Sequence, residues 1–144
     1  MNVDALVACD DANGASQTST VHLDIGGEPL AQPRHRVRRL SNHRVVFYDP
    51  AAAAKSRLRR MIRLALEEIG VSTFPFFNRQ KLSVNVTFVV SDTRKDIDNL
   101  LKYILDAMNQ VVYNDDRTVC VVNMKKIVAD ASNNPKSILE MKTT

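Results

Sequence analysis

The sequence predicts an α+β fold, a single domain in which a mixed β-sheet is partly covered by two main helices. Residues 50–69 and 98–109 carry apolar side chains at helical spacing, and residues 82–90 alternate apolar and polar side chains as a half-buried strand does. The elements follow in the order β, basic arm, α, β, α, β, β, which favours a sheet with helices packed on part of it.

Length and composition fit one globular unit inside a cell. The chain has 144 residues and a net charge of +4, typical of a single soluble domain. Cys9 and Cys120 lie far apart with no CxxC or His cluster nearby, so neither a disulfide nor a zinc site is expected. No apolar stretch reaches the roughly 18 residues that cross a bilayer, and residues 1–20 lack a signal-peptide pattern. We therefore expect an intracellular protein without a membrane partner.

The chain is predicted to consist of a flexible tail at residues 1–19 and a folded domain at residues 20–144. The tail is small and polar with no sustained period, so little of it is expected in a core. The alternation in "TVHLDI" (20–25) predicts a strand. The two prolines and five arginines of "EPLAQPRHRVRRLSNHR" (28–44) predict an extended or looping basic arm, and "VVFY" (45–48) a short closing strand.

The first helix is predicted to have Asp49 as its N-cap and Pro50 at its first helical position, and to stop at Gly70. Its apolar positions are Leu58, Met61, Ile62, Ala65, Leu66 and Ile69. A loop at 72–77, the second helix at 98–109, and strands at 118–130 and 136–142 complete the prediction.

Basic residues are concentrated in one part of the chain. Ten of the 20 Lys and Arg residues fall between Arg34 and Arg63, where Asp49 is the only acid. Such a block indicates a surface that binds a polyanion, although arginine-rich faces often only solubilise a protein. The candidate DNA-binding residues are Arg34, Arg36, Arg38, Arg39, Lys55, Arg59, Arg63, Lys125 and Lys126.

Acidic residues cluster at both ends of the second helix, in "DIDNLLK" (96–102) and "YNDD" (113–116). Each has an ordinary structural explanation. Asp96 can cap the helix, Asp98 and Lys102 can form a surface ion pair worth about 0.3–0.5 kcal/mol, and Asp115 and Asp116 can form a turn. Taken together, Asp96 just before the helix and Asp98 in its first turn can converge on one site.

A third carboxylate, from Asp116, can reach that site in two ways. If residues 111–116 are extended, they span roughly 20 Å and can retrace the helix; otherwise Asp116 joins the site of a partner subunit. Three carboxylates together require a cation, and oxygen ligands alone favour Mg²⁺, with Mn²⁺ as a substitute. Such a site can polarise a phosphodiester, and Lys102, one turn from Asp98, can stabilise negative charge there.

The segment "DIDNLLKYILDAMNQVVYNDD" (96–116) resembles the RusA family of Holliday-junction resolvases in its D-x-D-N-x-x-K motif and the acidic pair that follows. Weaker similarity extends to residues 27–39 and 124–126. The resemblance implies an intertwined homodimer in the bacterial cytoplasm, bacterial or phage-encoded. It would bind four-way DNA junctions and, with Mg²⁺, resolve them by paired symmetric nicks in recombination and repair. The positions that match the family's catalytic residues are Asp96, Asp98, Asp116 and Lys102, with Asp115 as the less critical acid.

Two other functions remain open from the sequence. The aspartates can be caps and turns of a non-catalytic protein that binds branched DNA, or the chain can be a nuclease for flaps, RNA or other branched substrates. Phe74, Phe76 and Phe77 either pack in the core or at a dimer contact, or wedge into an open junction.

Overall fold

The computed structural model describes residues 1–10 and 18–144. Seven strands and two long helices are present in this described part of the chain. The strands are β1 (Val3–Asp10), β2 (Thr18–Gly26), β3 (Arg36–Arg39), β4 (Val45–Tyr48), β5 (Leu82–Val90), β6 (Val119–Val128) and β7 (Lys136–Thr143). The helices are α1 (Ala52–Glu68) and α2 (Ile97–Met108), and a short 3-10 turn covers Asp116–Thr118.

Five strands form one mixed sheet in the order β1-β2-β7-β5-β6. Neighbouring strands are antiparallel except β5 and β6, which are parallel. Parallel strands cannot be joined by a tight turn, so α2 serves as the crossover between them. The predicted α+β fold with a mixed sheet and two helices is confirmed.

The hydrophobic core lies between the two helices and one face of the sheet. Alternate residues of the central strands supply the sheet side, and residues three and four apart supply the helix side. The core includes Val21, Leu23, Leu139, Met141, Val84, Val86, Phe88, Leu58, Ile62, Leu66, Leu100 and Ile104. Burying one such side chain is worth about 1.5–3 kcal/mol, so this layer fixes where α2 lies on the sheet. None of the helices in the described ranges is long and apolar enough to cross a bilayer.

Helix α1 begins slightly later than the sequence predicts. Its N-cap is Ala51 rather than Asp49, although the Asp49 carboxylate accepts a hydrogen bond from the Ala51 N–H at 2.9 Å. The predicted end is confirmed: Gly70 has a φ of 95°, and its N–H donates to the Glu67 carbonyl. Glycine adopts this left-handed conformation without steric cost.

The predicted flexible tail is wrong for residues 3–10, which form β1. This strand pairs with β2 over eight residue pairs, from Val3 with Ile25 to Asp10 with Thr18. Val3, Ala5 and Val7 pack on the core. Pairing with β2 and packing on the core therefore order a segment that is mostly apolar but shows no sustained period along the sequence. The remainder of the predicted tail, residues 11–17, lies outside the described residues.

The basic arm is more ordered than predicted, because β3 and β4 form a hairpin separate from the main sheet. All eight of its strand residues are exposed. The register pairs Arg36 with Tyr48 and Arg38 with Val46, so these two arginines lie on the same face of the hairpin. The hairpin carries apolar residues as well, and Phe47 is 72% exposed.

The loop with three phenylalanines packs against the protein. Phe77 is buried, its ring centroid lies 4.8 Å from that of Phe76, and the N–H groups of both residues donate to the carbonyls of Val111 and Val112. The core-packing alternative therefore fits this loop, and a buried Phe77 is not available as a junction wedge.

Candidate active site

Asp96 ends the loop that leads from β5 into α2. Its backbone is extended, with φ −70° and ψ 136°, and its side chain makes no capping hydrogen bond to the first turn. The carbonyl of Asp96 accepts the first helical hydrogen bond from the Leu100 N–H at 3.1 Å. Its carboxylate is exposed and has only a 3.5 Å contact with the side-chain amide of Asn99 among the described residues. The capping explanation thus does not account for this carboxylate.

Asp98 and Lys102 lie one turn apart on the exposed face of α2. No ion pair joins them, and neither has an ion-pair partner within residues 1–10 and 18–144. The opposite face of α2 buries Leu100, Ile104 and Met108. The helix is therefore anchored by its apolar face while Asp98 and Lys102 remain available to a ligand.

Asp115 and Asp116 lie beyond the other end of α2. The Asp115 carboxylate accepts a hydrogen bond from the Arg117 N–H at 3.0 Å, and this bond lowers the pKa of Asp115. A hydrogen bond between the two carboxyl groups raises the pKa of Asp116, and burial and the negative charge of Asp106 raise it further. The predicted turn role is thus seen for Asp115, whereas the Asp116 side chain is exposed.

The extended return along α2, one of the two routes that the sequence leaves open for Asp116, does not form. The chain turns tightly after Met108: the Val112 N–H donates to the Met108 carbonyl and the Gln110 N–H to the Tyr113 carbonyl, at 2.9 and 2.7 Å. Tyr113 is buried and its hydroxyl donates to the Leu105 carbonyl at 2.8 Å. Burial of Val111, Val112 and Tyr113 in the core accompanies this turn and excludes the extended alternative.

The two acidic groups therefore remain apart within one chain. Asp116 follows the C-terminal end of α2, where the negative charge of Asp106 acts on it. Asp106 is eight residues after Asp98 and so roughly 12 Å further along the helix axis. Among the described residues, no group of three or more Asp, Glu, His or Cys side chains is arranged to hold a metal ion. Asp96, Asp98 and Lys102 thus lie at the start of α2, whereas Asp115 and Asp116 follow its other end.

Four of the nine candidate DNA-binding residues are engaged within the protein. Lys55 is only 8% exposed and pairs with Asp49 and Asp106, so its assignment to a DNA surface is wrong. Arg59 donates to the Asp106 carbonyl at 2.7 Å. The spacing that groups these residues on one face cannot reveal that this face packs against α2.

The other two engaged residues are Arg63 and Lys126. Arg63 pairs with Glu67 at 2.9 Å and lies over the Phe74 ring. Lys126 donates to two backbone carbonyls. The residues that stay exposed without ion pairs in the described ranges are Arg34, Arg36, Arg38, Arg39 and Lys125. Arg44, in the turn of the hairpin, is exposed as well and was missed because it follows the arginine run by five residues.

A hard divalent cation suits the donor set at the start of α2. Two carboxylates that the described part of the fold leaves without ion-pair partners supply only oxygen ligands, which Mg²⁺ and Mn²⁺ prefer. The N-terminus of a helix carries partial positive charge and opposes a cation while favouring a phosphate. Two aspartates are therefore a small ligand set for a cation at this position, and a further carboxylate would strengthen it.

Exposed carboxylates beside a lysine, together with exposed arginines, are typical of proteins that act on a polyanionic substrate. The family model for the endodeoxyribonuclease RusA matches residues 26–136, which is most of the chain. The chain belongs to the RusA family, and the resemblance of residues 96–116 is confirmed. No curated protein matches the sequence significantly.

Proposed function

We propose that this RusA-family endodeoxyribonuclease is a Mg²⁺-dependent, structure-selective enzyme that resolves Holliday junctions by paired symmetric nicks. The observation that carries the proposal is the state of Asp96, Asp98 and Lys102: all three are exposed, and within the described ranges none has the cap or ion-pair partner that would explain it structurally. The family match supports cleavage of DNA. The site of action would be the cytoplasm of a bacterial cell, during recombination and repair.

The residues of this chain would divide the work as follows. Asp96 and Asp98 would hold the divalent cation, which supplies Lewis acidity and neutralises the charge of the phosphodiester. Lys102, one turn further along the exposed face, would contact the scissile phosphate and stabilise the negative charge that develops on its oxygens. The buried face of α2 fixes the backbone that carries Asp98 and Lys102 before substrate arrives.

A homodimer would complete the site with Asp116 from the partner subunit. This arrangement fits the separation of Asp116 from Asp98 within one chain. A second feature favours association: β6 is an edge strand, and it exposes the apolar side chains of Val121, Val122, Met124 and Val128. An exposed apolar edge of this kind readily pairs with another chain, and most homodimers are two-fold symmetric. Two such sites would make the two nicks.

The exposed arginines of the β3–β4 hairpin would hold the DNA. Arg34, Arg36, Arg38 and Arg39 precede α1 in a stretch, residues 29–48, that contains no acid. A carboxylate site repels DNA, so cations on the surrounding surface are needed to retain the substrate. Lys125 is an additional candidate contact on β6.

Cleavage of a synthetic four-way junction tests the proposal. Wild-type protein is expected to cut the junction with Mg²⁺ and not with EDTA, and to prefer it over flap, duplex and RNA substrates. Asp98→Asn should remove cleavage and retain binding, because the arginines are unchanged. Asp24→Asn is the matched control: it removes the charge of an acid outside this site, which already pairs with Lys136 at 3.0 Å.

A non-catalytic protein that binds branched DNA is the second candidate. It is favoured by the lack of a three-carboxylate cluster in the described part of the single chain. Salt-sensitive binding with no Mg²⁺-dependent product on any substrate would establish it in place of the nuclease. Faster cleavage of flaps or RNA than of the four-way junction would instead identify a nuclease with another target.

A further inference from the structure

The loop at residues 91–95 connects β5 to α2 and determines the position of Asp96, which follows it directly. Lys126 reaches this loop from β6: its ammonium group donates to the Lys95 carbonyl at 2.7 Å and to the Thr93 carbonyl at 3.2 Å. No carboxylate of the described ranges forms an ion pair with Lys126. The charge of this lysine is thus directed at two backbone carbonyls.

The bond to the Lys95 carbonyl acts directly on Asp96. The carbonyl of Lys95 and the N–H and Cα of Asp96 belong to one planar peptide unit. Fixing the oxygen of that plane therefore restricts where the Cα of Asp96 can lie. Lys126 is itself held in the sheet, where it is the register partner of Phe88 on β5, and a charged donor makes stronger hydrogen bonds than a neutral one.

A second set of contacts holds the other side of the same loop. The Glu28 carboxylate accepts hydrogen bonds from the N–H and hydroxyl of Ser91, at the start of the loop. The ammonium of Lys95, at its end, donates to Glu28 at 2.9 Å and to the Pro29 carbonyl at 2.7 Å. The loop is therefore bound from the β2–β3 connection and from β6 at once.

We propose that Lys126 is a positioning residue, which fixes the Lys95–Asp96 peptide and so pre-arranges Asp96 and Asp98 for the divalent cation. This inference rests on the proposed function for the identity of the cation. It replaces the assignment of Lys126 to a DNA contact. The adjacent Lys125 is exposed and makes no such bonds to the described residues; because side chains alternate along a strand, it lies on the other face of the sheet.

The adjacent lysine provides a matched control. Lys126→Met, Lys126→Arg and Lys125→Met are compared by amide hydrogen exchange and by calorimetric titration of the DNA-free protein with Mn²⁺. Two amides report on the loop: Arg94 N–H, bonded to the Asp92 side chain, and Leu100 N–H, bonded to the Asp96 carbonyl. Lys126→Met should speed exchange at both and weaken Mn²⁺ binding roughly 10- to 100-fold, the usual cost of losing an outer partner of a ligand.

Lys126→Arg keeps charged donors and should recover much of the Mn²⁺ affinity, and Lys125→Met should match wild type in both measurements. Unchanged exchange at Arg94 and Leu100 in Lys126→Met overturns the proposal. Weakened junction binding with unchanged Mn²⁺ affinity overturns it as well, because that result would show that Lys126 binds a DNA phosphate. If Lys126→Met does not fold, Lys126→Gln, whose shorter side chain cannot reach both carbonyls, takes its place. Absence of Mn²⁺ binding in wild type would count against the proposed metal site alone, because the exchange data still decide whether Lys126 holds the loop.

Discussion

The ammonium group of Lys55 lies 3.1 Å from a carboxylate oxygen of Asp106, so an ion pair in a largely buried position joins α1 to α2. Lys55 also pairs with Asp49 and donates to the Gln32 side chain at 2.8 Å. Its pKa is raised: burial acts to lower it, and the hydrogen bonds to the two aspartates outweigh burial. The helix that carries the proposed catalytic residues is thus held by charge as well as by apolar packing.

Removing this ammonium group should destabilise the fold. Lys55→Met leaves two carboxylates facing each other in a poorly solvated position, and breaking a buried pair in this way typically costs about 3–5 kcal/mol. The partial exposure of Asp106 favours the lower end of that range. Urea unfolding followed by circular dichroism measures the change. Arg60→Met, an exposed position on the same helix, should stay close to wild type; equal stability of the two variants would contradict the prediction.

The same ion pair predicts how stability depends on pH. The pKa of Asp49 is lowered from 3.8, since bonds from Lys55, Ala51 and Gln32 outweigh the burial that raises it. A lowered folded-state pKa gives stability that is present above pH 3.8 and is lost as pH falls through the folded value. The raised pKa of Lys55 gives stability that is present below pH 10.5 and is lost as pH rises through the folded value.

The difference in unfolding free energy between wild type and Lys55→Met should therefore be constant between about pH 5 and pH 9. It should shrink in more acidic solution as Asp49 becomes protonated. Urea titrations at neutral pH and near pH 3 test this, with Arg60→Met again as the control for general acid effects. A difference that persists unchanged in acid would assign the loss to packing of the lysine stem rather than to its charge.

Local patterns in the sequence predicted the main elements well. The strand at 82–90 has the predicted bounds, and the second helix differs by one residue at each end. In both cases the period of apolar residues reports directly on which side faces the core. The exposure of Asp98 and Lys102 also follows from their place on the face of α2 that lies away from the core. The catalytic and metal-binding roles of Asp96, Asp98 and Lys102 stay predictions.

Long-range partners were not predictable in the same way. The helical spacing of Lys55 and Arg59 predicts that they share one face of α1. It does not predict that Asp106, 51 residues after Lys55, lies against that face. Likewise β1 is ordered by pairing with β2 and by packing on the core, and its own residues carry no clear period. Tertiary contacts determine the conformation of such segments more than the intrinsic strand propensity of their residues does.

The arginines of the hairpin should contribute to DNA affinity by binding phosphates. Arg36 and Arg38 lie on one face of β3, so the double variant Arg36→Gln/Arg38→Gln removes neighbouring charges. Junction binding, measured by fluorescence anisotropy with Ca²⁺ in place of Mg²⁺, should weaken. The slope of log K against log salt should fall by roughly 0.9 for each phosphate that the variant no longer neutralises. Arg63→Gln is the control because this arginine already pairs with Glu67. Equal slopes in wild type and the double variant would show that Arg36 and Arg38 do not bind DNA phosphates.

Subunit mixing decides whether Asp116 completes the site of the partner. If each site combines Asp98 of one subunit with Asp116 of the other, a heterodimer of Asp98→Asn and Asp116→Asn chains has one intact site and one doubly defective site. Equal mixing makes about half of the dimers heterodimers, so roughly a quarter of the sites should be active. Each junction should then receive single nicks rather than paired nicks.

A mixture of Asp96→Asn and Asp98→Asn chains is the control for this experiment. These two aspartates belong to one segment, with a single residue between them, so every site in that heterodimer lacks one carboxylate whichever subunit supplies Asp116. It should stay inactive. Native mass spectrometry must show that subunits exchange in both mixtures. Exchange without recovery in the Asp98→Asn and Asp116→Asn mixture would place all three carboxylates in one subunit, which would require residues 109–116 to leave the turn that buries Tyr113.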